Sequence, residues 1–230
     1  MMRLFDRTLG KWIRHFLFIL VRTYYALFYN ISSSGKHLLQ NQSGALILAT
    51  HVSRHDGPMI AAVLYPTMRI RPTVHYDEYY NWAQFLAMYV ISAIPMSSPK
   101  SWPDEKRKAR KAKVMGIIHK VMSKENAVLL FPAGKVRRQK EELVPAYLSG
   151  VHEILSAEPN TPVLLLRLDG LGQFQAANYD RFWSFIGIKK GRRHVTIDLR
   201  SLTDLDPSVG VEAFNARLEE LLNTPVSNDI

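Results

Sequence analysis

The sequence ALILATHVSRHDGP, residues 45–58, decides the fold. It begins with a short run of aliphatic and β-branched residues, 45–50, which has the length and composition of a buried strand. A proline then lies in the first turn of a predicted helix over 58–64, where proline is tolerated. His51 and Asp56 lie between the two elements. A strand that runs directly into a helix indicates an α/β sheet, in which active sites gather at the loops beyond the strand ends.

Strands and helices alternate along the rest of the chain. The predicted strands cover 69–76, 127–131, 162–168 and 193–199, and the predicted helices cover 78–92, 103–124, 146–156 and 209–222. The clearest helix is 103–124, because its apolar residues recur at i, i+3, i+4, i+7 and i+8 from Val114 onward. The alternation predicts an α/β fold with a mixed, largely parallel sheet flanked by helices, and 230 residues suffice for one such domain.

Composition and charge narrow the function classes. The chain has no cysteine, which excludes a disulfide scaffold, a thiolate metal site and a cysteine nucleophile. Its 30 Lys and Arg against 20 Asp and Glu give a net charge of +10, and residues 100–140 alone hold an excess of that size. We therefore expect an anionic partner at one place on the surface. A nucleic acid is disfavoured, because aromatic residues are not interleaved with the basic run and no nucleic-acid motif occurs.

The N-terminal segment, residues 1–31, is mostly apolar from residue 12 onward. Its longest unbroken apolar run, 16–21, is far shorter than the ~20 residues that a membrane span needs. On a helix the charged residues share one stripe, and the opposite face carries Trp12, Phe16, Ile19, Leu20 and Leu27. This pattern predicts a helix lying in the membrane interface, although a helix docked on the protein's own core stays open. The serine-rich segment 32–35 predicts a linker, so we divide the chain into a membrane-associated part, 1–34, and a domain, 35–230.

The strand-to-helix turn carries the first candidate chemistry. His51 and Asp56 are five positions apart across the turn, where their side chains could meet. An aspartate that holds one imidazole nitrogen fixes the tautomer and leaves the other nitrogen as a base. Alternatively, Asp56 only caps the helix. A metal site made of His51, His55 and Asp56 is a weaker alternative, and Ser53 lacks the surroundings of a nucleophile.

A second candidate lies in residues 129–138, LLFPAGKVRR. A predicted strand ends at Phe131, and glycine and basic residues follow. Gly134 allows backbone amides to approach an anion closely, and Lys135, Arg137 and Arg138 can bind a phosphate. Taken alone, this stretch is also typical of a solvated basic loop.

Together the two stretches resemble the glycerolipid acyltransferase superfamily, whose first block is H-x-x-x-x-D and whose third is F-P-E-G. His51 and Asp56 match the first block, and Phe131, Pro132 and Gly134 match the third. The resemblance covers residues 40–200, because Ile94-Pro95-Met96, Thr161-Pro162-Val163 and Tyr147-Leu148-Ser149-Gly150 stand where the family has its other blocks.

The resemblance implies an enzyme that transfers a fatty acyl chain from acyl-CoA or acyl carrier protein to a lysophospholipid or related lysolipid. His51 would be the general base and Asp56 its orienting partner, with no metal, cofactor or covalent intermediate. Substrate contacts are expected from Ser53, Arg54, Lys100, Gly134, Lys135, Arg137 and Arg138. Membrane lipids are the expected partners, nucleic acid is not, and the expected location is the cytoplasmic face of the inner membrane.

Several positions depart from the family pattern. Thr50 replaces a common Asn, Ala133 replaces the Glu of F-P-E-G, and two family arginines associated with the acceptor phosphate are absent at Val136 and near Lys100. The pattern is closer to enzymes that reacylate 2-acylglycerophosphoethanolamine or other lysolipids. Because of the missing residues, a non-catalytic lipid-binding protein with an acyltransferase fold stays open as an alternative.

Overall fold

The fold is built around a central sheet. The structure, a computed structural model, describes residues 2–40, 42, 44–53, 55–65, 67–81, 85–96, 98–99, 101–124, 126–136, 141–170 and 193–224. Within these residues the strands are β1 (Tyr29–Ser34), β2 (Ala45–Ala49), β3 (Ile70–Val74), β4 (Ile94–Pro95), β5 (Ala127–Leu130), β6 (Val163–Asp169) and β7 (Arg193–Ser201). They form one sheet in the order β1-β7-β6-β2-β5-β3-β4. Only the β6–β7 pair is antiparallel among these strands, so the predicted mixed, largely parallel sheet is confirmed.

Strand β2 lies at the centre of this sheet. Its register places Leu46 opposite Val128 of β5 on one side and Val163 of β6 on the other. All five residues of β2 are fully buried. A strand that is covered on both faces needs a continuous apolar run and not an alternating one. The run 45–49 meets this requirement and directs the chain into the turn that follows.

Helices cover both faces of the sheet. The helices are α1 (Met2–Phe28), α2 (Asp56–Leu64), α3 (Tyr76–Tyr79), α4 (Phe85–Val90), α5 (Asp104–Met122), α6 (Gly150–Ala157) and α7 (Val211–Asn223), with a short 3-10 helix over Lys36–Leu39. Residues of α1, α2 and α4 pack in one apolar core, whereas α5, α6 and α7 pack in a second core. Alternate residues of β2 point into the two cores, so the sheet separates them.

Two segments differ from the prediction. Residues 32–34, expected to form a linker, belong to β1, which pairs in parallel with β7. There Ser32 donates a hydrogen bond to Thr196, and Ser34 donates one to Asp198, so the serines join the strands. The single helix expected over 78–92 is instead the two short helices α3 and α4. The His75 side chain accepts a hydrogen bond from the Asp77 N–H, and α3 therefore starts two residues earlier than expected.

Helix α1 has two apolar faces. Phe18 and Tyr25 are buried in the core beneath it, which accords with the alternative that the helix docks on its own protein. The residues predicted to face a membrane are nevertheless exposed, namely Trp12, Phe16, Ile19, Leu20 and Leu27, with exposed fractions between 48% and 73%. No helix in the part of the chain that the structure describes is long and apolar enough to cross a membrane.

Candidate functional site

The turn after β2 brings His51 and Asp56 together. Asp56 is the first residue of α2 and is fully buried, and its Oδ2 lies 2.9 Å from Nδ1 of His51. The same oxygen accepts hydrogen bonds from the backbone N–H groups of Val52, at 2.7 Å, and Ser53, at 2.8 Å. Asp56 therefore stabilises the turn before α2 and orients the imidazole. The alternative that Asp56 only caps the helix is wrong, because the N-cap residue of α2 is His55 and no side chain caps this end.

Burial dominates the electrostatics of this pair. Burial raises the pKa of the Asp56 carboxyl above its usual range, although hydrogen bonds from His51, Ser53 and Val52 act in the opposite direction. Attraction to a protonated His51 ring is a further effect that lowers the pKa of Asp56. The buried negative charge is therefore best accommodated when the ring has taken up a proton, which is the state that a general base reaches during catalysis.

Two further residues fix His51. The ring of Phe131, at the end of β5, stacks on the imidazole with 4.2 Å between centroids. The buried carboxylate of Glu142 accepts a hydrogen bond from the backbone N–H of His51 at 3.1 Å. Phe131 was part of the predicted F-P-x-G block, whereas Glu142 was missed. Its one signal in the sequence is that an acidic pair, Glu141-Glu142, ends the basic run.

His51 lines a cavity of about 1600 Å³ at the carboxyl ends of β2, β3 and β5. One part of the lining is apolar and includes Met88, Ile91, Met96, Val114, Met115 and Leu148. Another part is cationic and consists of Arg107, Lys108, Lys111 and Lys135. Arg107 and Lys111 are paired with the carboxylates of Asp104 and Glu153. Four acidic residues, Asp77, Glu78, Asp104 and Glu141, line the cavity as well. The cavity thus combines a histidine, an apolar wall and charged groups of both signs, which suits an amphiphile with a charged head.

Glu153 forms an ion pair with Lys111, which lines the cavity. Burial raises the pKa of the Glu153 carboxyl, but hydrogen bonds from Lys111 and Ser149 and the positive charge of Lys111 outweigh it, so the pKa lies below its usual value. This carboxylate is therefore ionised at neutral pH and holds the Lys111 ammonium 2.5 Å away.

Only some of the predicted substrate-binding residues that the structure describes line the cavity. Lys135 and Gly134 line the cavity. Gly134 has φ +67°, which favours glycine, but its N–H donates to the carbonyl of Phe131 at 2.9 Å and is thus engaged in a turn. Ser53 is fully buried, where its Oγ accepts a hydrogen bond from the His55 N–H, so it shapes the turn and does not line the cavity. The expectations for Arg54, Lys100, Arg137 and Arg138 lie outside the described residues.

The other positions of the family blocks connect strands of the sheet or line the cavity. Thr50, which stands where the resemblance expects Asn, accepts a hydrogen bond from the Leu168 N–H through its Oγ1 and so ties β2 to β6. Met96 follows β4 and lines the cavity, which places the second block at the same cavity as His51. The fourth block begins β6, where the Pro162 carbonyl accepts from the Leu46 N–H. Among the described residues, no three His, Asp or Glu side chains are grouped as metal ligands would be.

Comparisons with known proteins identify a family and a similar fold. A sequence model of the family described as Acyltransferase matches residues 30–164, which is more than half of the chain. A search of curated protein sequences finds no match. Among solved structures, the crystal structure of the 1-acyl-sn-glycerophosphate (LPA) acyltransferase PlsC from Thermotoga maritima is similar, with a TM-score of 0.55 over 95% of this chain and 85% of that chain. The two sequences are 15% identical, so this similarity concerns the fold.

Proposed function

The chain belongs to the Acyltransferase family, and we propose that it transfers a fatty acyl chain from an acyl thioester to the hydroxyl of a lysophospholipid or related lysolipid. The observation that carries the proposal is the His51–Asp56 pair, which opens onto a cavity with both an apolar and a cationic wall. The similarity in fold to PlsC, a 1-acyl-sn-glycerophosphate acyltransferase, supports a lysolipid acceptor.

The proposed chemistry needs one base. His51 donates its Nδ1–H to Asp56, so Nε2 is available to take the proton of the acceptor hydroxyl. The oxygen then attacks the thioester carbonyl, the carbon–sulfur bond breaks, and the imidazolium returns the proton to the departing thiolate. The developing oxyanion needs donors. Since the Gly134 N–H is engaged in its turn, Gly57, which lines the cavity at the start of α2, is the better candidate.

Cavity lysines are the proposed site for the acceptor's anionic head. Lys135 and Lys108 line the cavity and are exposed, and they supply the positive charge that the absent family arginines would give. Lysine acts on a phosphate as a point charge, without the two-pronged geometry of arginine. We therefore propose an acceptor class, phosphate-bearing lysolipids, and not a single lysolipid.

The acyl donor is proposed to be acyl-CoA or acyl carrier protein. Both are anionic, and the exposed basic residues of α5 begin at the cavity with Arg107 and Lys108. Helix α5 packs in the core on one side of the sheet, whereas α1 packs in the core on the other side. A donor that binds near α5 would thus approach from the face opposite α1.

An acyl-transfer assay tests the proposed function. Purified protein would be incubated with labelled acyl-CoA or acyl carrier protein and a panel of lysolipids with and without a phosphate. We expect transfer to the phosphate-bearing members, and a KM for these acceptors that rises about fivefold in Lys135→Ala, since one exposed charge–phosphate contact contributes about 1 kcal/mol. Lys124→Ala is the matched control, because Lys124 is an exposed lysine that follows α5 and does not line the cavity.

Two outcomes of this assay would count against the proposal. Vesicle binding without transfer to any acceptor would favour the non-catalytic lipid-binding alternative. Transfer with the same KM for phosphate-bearing and phosphate-free lysolipids would remove the cavity lysines from acceptor recognition.

Membrane association is proposed from the outer face of α1. Its exposed apolar side chains are spaced as one helical stripe, and Phe18 and Tyr25 on the inner side attach the helix to the core. A helix with this arrangement can lie in the interface of a bilayer, with its apolar stripe among the acyl chains. This location, on the cytoplasmic face of the inner membrane, would give the site access to lysolipids.

A triple variant tests this role. Replacing Phe16, Ile19 and Leu27 by Ser should weaken binding to anionic phospholipid vesicles by at least about tenfold, since each loses roughly 1–2 kcal/mol of apolar burial in the bilayer. Co-sedimentation with vesicles measures the change. Val209→Ser, at an exposed apolar residue that precedes α7, is the control. Unchanged sedimentation of the triple variant would contradict membrane binding through α1.

A further inference from the structure

Glu142 is a buried acidic residue that takes no part in the proposed chemistry. Its hydrogen bonds to the His51 backbone and to α7 indicate a structural role. We infer that Glu142 is a positioning residue for His51, and that α7 holds Glu142 in place. Helix α7, Val211–Asn223, lies outside residues 30–164, which match the family. The inference rests on the proposed role of His51 as the base.

The backbone around His51 is held by two carboxylates. Three successive N–H groups donate to them: that of His51 to Glu142 at 3.1 Å, and those of Val52 and Ser53 to Asp56 at 2.7 and 2.8 Å. A buried N–H group that is left without an acceptor is costly, so these hydrogen bonds hold the backbone in place. Glu142 therefore fixes the backbone on one side of the imidazole, while Asp56 fixes the other side and the ring itself.

Three side chains on one face of α7 hold the segment 142–145, which carries Glu142, by hydrogen bonds to its backbone. Asn223 accepts a hydrogen bond from the Glu142 N–H and donates one to the Glu142 carbonyl, both at 2.8 Å. Four residues earlier on the helix, Glu219 accepts from the Val144 N–H at 2.7 Å. The side chain of Asn215, four residues before that, is buried and donates to the Pro145 carbonyl at 2.9 Å. Residues spaced by four lie on one face, so these three side chains form a single row.

The segment that carries Glu142 follows a motif position at which this chain lacks a glutamate. Position 133, where the F-P-E-G block has Glu, holds a buried Ala. In the segment that follows, the buried Glu142 side chain accepts the His51 N–H. This segment contributes Leu143, Val144 and Leu148 to the cavity wall, so the row on α7 sets both the wall and the base.

The test is a kinetic comparison of Glu142→Ala, Glu142→Gln and Asn223→Ala. Removing the Glu142 carboxylate leaves the His51 N–H without its acceptor, and a small displacement of a base can lower the rate about 10²-fold. We expect kcat to fall by about 10- to 100-fold in Glu142→Ala with KM little changed. Glu142→Gln should recover most of kcat, because the amide oxygen accepts the same hydrogen bond. Asn223→Ala should lower kcat in the same direction while the carboxylate is retained.

Glu220→Ala is the matched control, since Glu220 is on the same helix, is exposed and pairs with Arg217. It should leave kcat unchanged. The backbone amide resonance of His51 provides a readout that needs no activity: it should shift in Glu142→Ala and Asn223→Ala, and much less in Glu142→Gln. Should Glu142→Ala fail to fold, the other two variants give the same comparison.

The outcomes separate this inference from the proposed function. Wild-type kcat in Glu142→Ala and Asn223→Ala, or a rise in KM alone, would overturn the positioning role while leaving acyl transfer intact. Equal loss in Glu142→Ala and Glu142→Gln would overturn it as well, because hydrogen bonding would then not be the cause. If the wild-type protein transfers no acyl chain, the proposed function is overturned instead. The hydrogen bond between the His51 N–H and Glu142 can then still be tested, because an unchanged His51 amide resonance in both alanine variants would contradict it.

Discussion

Replacing His51 by Ala should lower kcat for acyl transfer by roughly 10²–10⁴-fold, with KM for the acyl donor little changed. The hydroxyl of a lysolipid is a weak nucleophile at neutral pH. His51, the proposed base, lines the cavity, and its Nδ1 is held by Asp56. The variant should stay folded, because Asp56 keeps the two backbone hydrogen bonds that stabilise the turn. Single-turnover transfer of labelled acyl chains measures the loss.

His119→Ala is the matched control for this prediction. His119, on α5, also places Nδ1 against a carboxylate, that of Glu158, which follows α6, but it does not line the cavity. Its removal deletes the same kind of imidazole–carboxylate pair without removing the base, so activity should persist. Equal transfer by wild-type protein and His51→Ala would exclude His51 from the mechanism.

The sequence predicted the parts of the site that depend on short spacing. His51 and Asp56 are separated by five residues at a strand-to-helix turn, so local geometry alone brings them within 2.9 Å, although their catalytic role stays a prediction. The apolar run before them predicted a strand, which the structure places at the centre of the sheet and buries on both faces. The mixed sheet followed from the alternation of elements and is confirmed.

The parts that depend on long separations could not be predicted in this way. Glu142 reaches the His51 backbone across 91 residues, and Asn223 holds Glu142 across another 81. An acidic pair at the end of a basic run is typical of solvated charges, and only the fold shows that Glu142 is buried. The serines of β1 were misread for a related reason, since their partners Thr196 and Asp198 lie more than 160 residues away.

Replacing Asp56 by Asn should separate activity from stability. The amide oxygen can accept the hydrogen bonds from the Val52 and Ser53 N–H groups, so the turn keeps its shape. The amide carries no negative charge to stabilise the imidazolium, and its NH₂ group can donate to His51 Nδ1 and so favour the wrong tautomer. We expect kcat to fall by about 10²–10⁴-fold, with the fold intact.

The stability of this variant should depend on pH in a predictable direction. Because burial raises the pKa of Asp56 in the folded state, the folded protein loses stability through this group as pH rises from the ordinary aspartate pKa through the raised value. The amide of Asp56→Asn does not ionise, so the melting temperature of this variant relative to wild type should increase between about pH 4 and pH 7. Asp56→Ala is the contrasting variant. It leaves two buried N–H groups without acceptors, at a cost of about 1–3 kcal/mol each, and should melt lower at every pH. A melting-temperature difference between Asp56→Asn and wild type that decreases with pH would show that hydrogen bonding to the carboxylate outweighs its burial.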